Sequence, residues 1–284
     1  MLWVACVLPT LFPYLFITFL LSHLNATPKL ARILHPITSK LFGINGVGGY
    51  ALFISLMSGY PVGSKTVAEL RTGGFLSKTE SERASVICST SSPSFLISSV
   101  GGVMFNSPLF GVLLFAISTL SCFVVGVVFS FYKRKNKPKN YQPFIVASSD
   151  NLLYDGVYSS VVSVLVVGGI ITIFYTLTEI LMVLGALSPF VNLFELVLGN
   201  SNSATALTLG AFECTKGLKA LVGIPLSKAL PVASGICGLG GFSVIMQSLA
   251  FLKKAKIKTT VFLVGKLLTA VFNVLFGLLF SVFL

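Results

Sequence analysis

From Ala84 to Tyr132 the sequence contains no Asp, Glu, Lys or Arg, an uncharged run of 49 residues. About 20 apolar helical residues cross a hydrocarbon core of about 30 Å, so this run exceeds one crossing. Across all 284 residues only 10% are charged and 55% are hydrophobic, whereas soluble domains carry about a quarter charged residues. Weak polar alternation argues against a transmembrane β-barrel. The sequence therefore predicts an all-α polytopic membrane protein in a lipid bilayer.

The net charge of +12 does not indicate a nucleic-acid partner, because Lys and Arg lie in short clusters between apolar runs rather than on one basic module. The N-terminal segment, Met1 to Ser22, lacks the basic start of a signal peptide and is predicted to be a first transmembrane helix. Cysteines without metal-ligand spacing are interpreted as small buried residues. They are Cys6, Cys88, Cys122, Cys214 and Cys237.

Two apolar segments, 46–63 and 84–104, are interrupted by residues that break helices. The first ends in Ser58-Gly59-Tyr60-Pro61-Val62-Gly63, and the second carries Ser89-Thr90-Ser91-Ser92-Pro93-Ser94 near its middle. Irregular backbone at membrane depth persists only where protein or a water-filled cavity satisfies its polar groups. The other apolar segments run approximately over 2–22, 108–132, 156–187, 191–212, 229–252 and 259–284.

Short similarities separated by about 150 residues indicate an internal duplication. Leu76-Ser77-Lys78 recurs as Leu226-Ser227-Lys228, and Ala84-Ser85-Val86-Ile87-Cys88 recurs as Ala233-Ser234-Gly235-Ile236-Cys237. The predicted organisation is a first membrane repeat over 1–132, a basic cytoplasmic linker over 133–155 and a second membrane repeat over 156–284.

The placement of basic residues predicts orientation, because cytoplasmic loops are enriched in Lys and Arg. If 46–63 and its counterpart 191–212 re-enter while the broken helices cross, sixteen of the twenty Lys and Arg residues are cytoplasmic and three are external. Each repeat then crosses three times, so the repeats are inverted. Inverted repeats with broken helices are typical of transporters, whose solute site lies near the midplane.

Two charged residues in apolar segments are candidates for the solute site, since charges inside a membrane normally have a partner or a pathway. Glu213 lies where the second repeat corresponds to the Ser58-Gly59 break, and Lys266 lies about 12 Å into a helix that starts near Thr259. Pairing of Glu213 with Lys216, snorkelling of Lys266 to the cytoplasm and pairing of Lys266 with Glu213 are the alternatives.

The breaks supply the remaining candidates, because discontinuous helices direct free backbone groups and half-helix N-termini at a cavity. The alternative is that their serines and glycines only permit tight helix packing. The predicted solute-binding residues are Ser58, Gly59, Tyr60, Pro61, Ser91, Ser92, Pro93, Glu213, Thr215, Gly240, Gly241 and Lys266.

Nothing in the sequence resembles a catalytic set, and no cofactor or metal is predicted. The stretch from Gly59 to Thr66 departs from a P-loop because Ser64 stands where the motif requires Gly. His23 and His35 lie in the first loop without companion ligands. An enzyme is therefore not expected.

Several of these motifs resemble the YlbJ-type sporulation integral membrane proteins, which belong with the nucleoside-recognition Gate domain proteins. The resemblance is carried by Val7-Leu8-Pro9-Thr10-Leu11-Phe12-Pro13-Tyr14, Ser58-Gly59-Tyr60-Pro61-Val62-Gly63, Ser91-Ser92-Pro93, Glu213-Cys214-Thr215-Lys216-Gly217 and Gly265-Lys266-Leu267-Leu268. This chain departs from the family's usual residues at Lys216 and Lys266.

The resemblance implies an architecture like that of concentrative nucleoside transporters and a role in endospore formation, with export of dipicolinic acid from the mother cell toward the forespore. A nucleoside carrier and a non-transporting scaffold of the spore envelope are the alternatives. A coupling ion (H⁺ or Na⁺), a homo-oligomer and a cell-membrane location, including the outer forespore membrane, accompany this hypothesis.

Overall fold

The computed structural model describes residues 8–23, 26–133, 135, 136, 138 and 151–284 of the chain. Within these ranges the chain is helical and contains no strand, which confirms the predicted all-α class. Four helices are long and apolar enough to cross a membrane, and one bent pair, Pro28–Leu41 with Gly46–Ser58, adds a fifth candidate with a bend of 99°. The four are Pro108–Ser130, Leu152–Val183, Leu226–Lys254, which continues through a break at Gly240, and Thr259–Phe283.

In the first half of the chain, the described residues form six α-helices and one π-helix. The helices are α1 (Leu8–His23), α2 (Ala26–Leu41), α3 (Gly46–Ser58), α4 (Val62–Thr72), α5 (Lys78–Ile87), the π-helix Ser94–Met104, and α6 (Pro108–Ser130). Polar side chains define their starts: Asn45 accepts from the N–H groups of Val47 and Gly48. Ser77 forms a capping box with Glu80.

In the second half, residues 151–284 form seven α-helices and a short 3₁₀ turn. They are α7 (Leu152–Val183), α8 (Ser188–Leu198), α9 (Ser201–Phe212), α10 (Cys214–Ala220), α11 (Leu226–Leu239), α12 (Gly241–Lys254), α13 (Thr259–Phe280) and the turn Ser281–Phe283. Helix α13 packs mainly on α11 and α6, whereas α7 packs mainly on α1.

Two pairs of helices, α3 with α4 and α9 with α10, each fold back at a break. A Cβ added to Gly63 in α4 would lie 2.5 Å from the Ser55 hydroxyl of α3, and one added to Gly217 in α10 would lie 2.3 Å from Cα of Gly210 in α9. The absence of a side chain at Gly63 and Gly217 therefore permits the arms of each pair to touch. The inverted relation of the two halves stays a prediction.

Three local expectations differ from the structure. The predicted first loop is helix α2, whose buried residues Ala31 and Thr38 lie two helical turns apart and pack against α3, while basic and apolar residues are exposed on its other faces. The first hairpin extends beyond 63, since the polar arm α4 remains helical to Thr72. The second hairpin is α9 with α10 rather than 191–212, which begins in the separate, exposed helix α8.

The predicted linker 133–155 is described only in part. Helix α7 begins at Leu152, inside it, while residues 134, 137 and 139–150 lie outside the described residues, as does Cys6. Lys133, the first residue of the linker, donates a 2.8 Å hydrogen bond to Glu82 of α5. The four described cysteines are free and buried, as predicted.

Candidate functional site

Four helix breaks, at residues 59–61, 88–93, 213 and 240, meet in the interior. The first break, at Gly59 to Pro61, is joined to the second, at Cys88 to Pro93, by two hydrogen bonds. The backbone N–H of Tyr60 donates to the carbonyl of Thr90 at 2.8 Å. The Ser91 hydroxyl donates to the Tyr60 hydroxyl at 2.7 Å.

Glycine is required where these breaks approach one another. Gly59 and Gly241 have φ angles of 76° and 78°, a region that side chains with a Cβ disfavour. A Cβ on Gly59 would lie 2.7 Å from the backbone nitrogen of Ser92. A Cβ on Gly241 would lie 2.9 Å from the carbonyl oxygen of Gly210, so α12 begins directly against the end of α9.

A small cavity of about 50 Å³ lies between these breaks and helix α7. Seven predicted site residues line it together: Ser58, Gly59, Tyr60, Ser91, Ser92, Glu213 and Thr215. Sequence reasoning missed its other lining residues, Phe95, Val167, Ile171, Cys214, Val244 and Gln247. The apolar members carry no signal that separates them from lipid-facing residues, whereas Gln247 is a polar side chain within an apolar helix, which is a usable signal.

A larger cavity of about 300 Å³ adjoins the small one and shares Ser58, Tyr60, Val167 and Gln247 with it. Pro61 and Lys65 line this larger cavity, and α7 supplies much of its apolar wall. Sites for small molecules usually measure about 300–1,000 Å³. The larger cavity therefore reaches the lower end of that range, while the small cavity alone does not.

Glu213 caps the start of α10 from inside the small cavity. Its side chain is 2% exposed. Its carboxylate accepts a 2.8 Å hydrogen bond from the backbone N–H of Lys216 and a second from the Thr215 hydroxyl. The ammonium of Lys216 pairs instead with Glu179 of α7 at 2.9 Å. The alternative that the Lys216 ammonium neutralises Glu213 is therefore wrong, because the two residues meet through the Lys216 backbone.

Lys266 lies behind the small cavity rather than at the cytoplasmic surface. Its side chain is 1% exposed, so the snorkelling alternative is wrong. Its ammonium donates to the carbonyl of Ser89 at 3.0 Å and lies 5.2 Å from the centre of the Tyr60 ring. It lines neither cavity, and among the described residues no carboxylate forms an ion pair with it.

The remaining predicted residues surround the site without lining the small cavity. Pro93 precedes the π-helix, and Gly240 joins α11 to α12. A Cβ on Gly240 would lie 3.5 Å from the Lys266 ammonium, so Lys266 stands between the second and fourth breaks. Three helices of eleven residues or more begin at the breaks, namely α4, the π-helix and α12.

Comparison with known proteins identifies a domain and a relative. A family model named Gate and described as nucleoside recognition matches residues 4–135. The chain is 29% identical to the sporulation integral membrane protein YlbJ of Bacillus subtilis (strain 168), in an alignment that covers 98% of this chain and 74% of YlbJ. The resemblance predicted from the motifs is confirmed.

Solved structures of CNTnw share the fold. An inward-facing, substrate-bound structure superposes with a TM-score of 0.68 at 12% identity, covering 99% of this chain and 75% of CNTnw. An outward-facing variant superposes with a TM-score of 0.57 at 14% identity, covering 97% of this chain and 76% of CNTnw. The chain thus shares the fold of CNTnw, and its apolar helices make it a multi-pass membrane protein.

Proposed function

We propose that this chain, a Gate domain protein related to YlbJ, moves a small anionic solute across a membrane through the cavities where its helices break. The observation that carries the proposal is Lys266, an ammonium buried directly behind the cavity without a carboxylate partner among the described residues. A buried charge is costly unless other groups compensate it. An anion bound in the cavity, on the other side of Tyr60, compensates the charge of Lys266.

The second break favours an anion because its two ends carry opposite partial charges and only the positive end meets the cavity. Lys266 lies against the negative end, where α5 terminates. Its ammonium bonds to the Ser89 carbonyl, at the end where α5 leaves unpaired carbonyl groups. The cavity meets the other side of this break, where Ser91 and Ser92 present hydroxyls and the π-helix begins. Helix N-termini carry partial positive charge and attract anions.

Dipicolinic acid is the proposed solute, exported from the mother cell toward the forespore. It is a flat ring with two carboxylates, and its class fits an apolar wall opposite hydroxyl groups. Similarity to a sporulation protein supports the biological setting. We include in this proposal a coupling ion, H⁺ or Na⁺, a homo-oligomeric assembly, cytoplasmic basic loops and the outer forespore membrane as the location.

A nucleoside is the second candidate, and one observation favours it. Glu213 places a carboxylate on the wall of the small cavity, where it can accept hydrogen bonds from hydroxyl groups and would repel a dianion. The description of the Gate domain as nucleoside recognition agrees with this candidate.

Substitution of Lys266 tests the anionic proposal. In proteoliposomes, Lys266→Gln should weaken dipicolinate affinity about tenfold, since an ammonium that acts on the solute through space, from behind Tyr60, contributes about 1–2 kcal/mol. Lys266→Arg should retain part of the affinity because it keeps the charge. Lys258→Gln, which removes an exposed lysine just before α13, is the matched control and should leave affinity unchanged.

Uptake of uridine by the same variants distinguishes the two candidates. A neutral nucleoside should respond little to Lys266→Gln, provided that the variant inserts and melts like the wild type. Wild-type dipicolinate affinity in correctly folded Lys266→Gln contradicts the anionic proposal. Failure of the wild type to move either solute favours the scaffold instead.

A further inference from the structure

Gln247 of α12 occupies the junction between the two cavities. It is one of four residues that line both, together with Ser58, Tyr60 and Val167. Facing it, the α7 wall is apolar at Val167 and Ile171 in the small cavity and at Val166 and Ile170 in the larger one. A solute that passes between the cavities therefore passes this side chain.

The amide of Gln247 lacks a protein partner for its carbonyl. The side chain is only 5% exposed, and its Oε1 atom has no hydrogen-bond partner among the described residues. An unsatisfied buried polar group costs about 1–3 kcal/mol. Such a group in a membrane helix is expected to face a pathway rather than lipid.

Neighbouring residues on α12 distinguish this position from ordinary polar residues in a helix. Ser243 and Ser248 are also buried without a hydroxyl partner, but neither lines either cavity. A serine hydroxyl can rotate toward a carbonyl one turn earlier in its own helix. Because the longer Gln247 side chain reaches the junction, its amide is available to a molecule inside the cavities.

We infer that Gln247 is a solute-contacting residue, whose amide hydrogen-bonds a carboxylate of the anionic solute at the junction of the two cavities. An amide presents two N–H donors and one acceptor, and only the donors suit a carboxylate oxygen. Because Oε1 has no partner that fixes the amide, the group can rotate about its last bond and turn its NH₂ end toward the junction. Tyr60 and Ser58 line the same junction. This inference rests on the proposed function and names a residue that would bind the solute's carboxylate.

Three substitutions separate contact from packing. With purified full-length protein and labelled dipicolinate, Gln247→Leu should weaken binding about tenfold, because it keeps the bulk and removes the amide. Gln247→Glu should weaken it further, since a carboxylate repels the solute. Gln247→Asn should retain a measurable part of the affinity, because it keeps the amide on a shorter stem. Ser248→Ala, on the next residue, is the matched control and should bind like the wild type.

Uridine binding by the same variants supplies the second readout. A larger loss for dipicolinate than for uridine in Gln247→Glu supports the inference, while equal losses for both indicate a packing role and overturn it. Wild-type dipicolinate affinity in folded Gln247→Leu and Gln247→Glu also overturns it, and leaves the proposed transport function standing. Absence of binding of both solutes to the wild type contradicts the proposed function and this inference together.

Discussion

Glu213 is the only carboxylate among the described residues that line the two cavities. Its hydrogen bonds to the Lys216 N–H and the Thr215 hydroxyl hold it at the start of α10. It therefore acts as a helix cap and as a charge on the cavity wall at once. These two roles respond differently when the charge alone is removed.

The Glu213→Gln variant separates the two solute candidates at this residue. Gln keeps an acceptor for the cap, so the protein should fold, but the negative charge is lost. Dipicolinate affinity should rise or stay unchanged because a repulsive charge is removed. Uridine affinity should fall about tenfold or more, as expected when a charge-assisted hydrogen bond is lost. Parallel binding measurements test this, and a tenfold loss for dipicolinate with none for uridine contradicts the assignment.

Sequence could predict several of the residues that meet at the candidate site, but not which atoms they use. Glu213 and Lys266 were recognisable as charges in apolar runs, and both reach the region of the breaks. The partner of Lys266 is the Ser89 carbonyl, 177 positions away, and that contact depends on where α5 ends. The pairing of Lys216 with Glu179 likewise depends on how α10 lies against α7. Neither contact can be recognised from the residues that adjoin it in the sequence.

Helix α2 is an element whose two exposed flanks differ in chemistry. Ile33, Ile37 and Leu41, spaced by four, are 67%, 54% and 45% exposed and share one flank. Lys29, Arg32 and Lys40 are exposed beside them. A basic flank next to an apolar flank is typical of a helix that lies in the plane of the membrane surface. The bend of 99° into α3 agrees with that placement.

Tryptophan substitutions test the placement of α2. In a Trp3→Phe background, which removes the chain's one tryptophan, Ile37→Trp should show blue-shifted emission and strong quenching by brominated lipid. Arg32→Trp, on the basic flank, is the matched control and should be quenched less, since that flank faces headgroups and water. Equal quenching of the two variants in liposomes contradicts the placement.

The breaks illustrate what local sequence predicts at the level of elements. Gly-Tyr-Pro and Ser-Ser-Pro disrupt helices through properties of the residues themselves, so their positions were predictable. Helices α8 and α9 were not separated in the sequence analysis, although a glycine followed by asparagine commonly ends one helix and begins the next. Only the αL conformation of Gly199 and the cap by Asn200 divide them.

The distribution of basic residues over the whole molecule predicts which loops face the cytoplasm, and chemical labelling can test this. In intact cells, with Cys6 replaced by Ala, Lys219→Cys should react with an impermeant maleimide, because the three basic residues predicted to be external are Lys216, Lys219 and Lys228. Asn136→Cys and Lys254→Cys should react only after permeabilisation, since basic loops face the cytoplasm. The four described native cysteines are buried and should contribute little. External labelling of Asn136→Cys or Lys254→Cys contradicts the inverted arrangement.

The contact between the first two breaks has a consequence for biogenesis. The Tyr60 N–H donates to the Thr90 carbonyl. Because Thr90 follows Tyr60 by 30 residues, it is synthesised later. At about 5–20 residues per second this delay is roughly 2–6 s. Lipid cannot satisfy the exposed backbone meanwhile. The hairpin must therefore wait in a sheltered or aqueous setting, such as the insertion machinery, until its partner is synthesised.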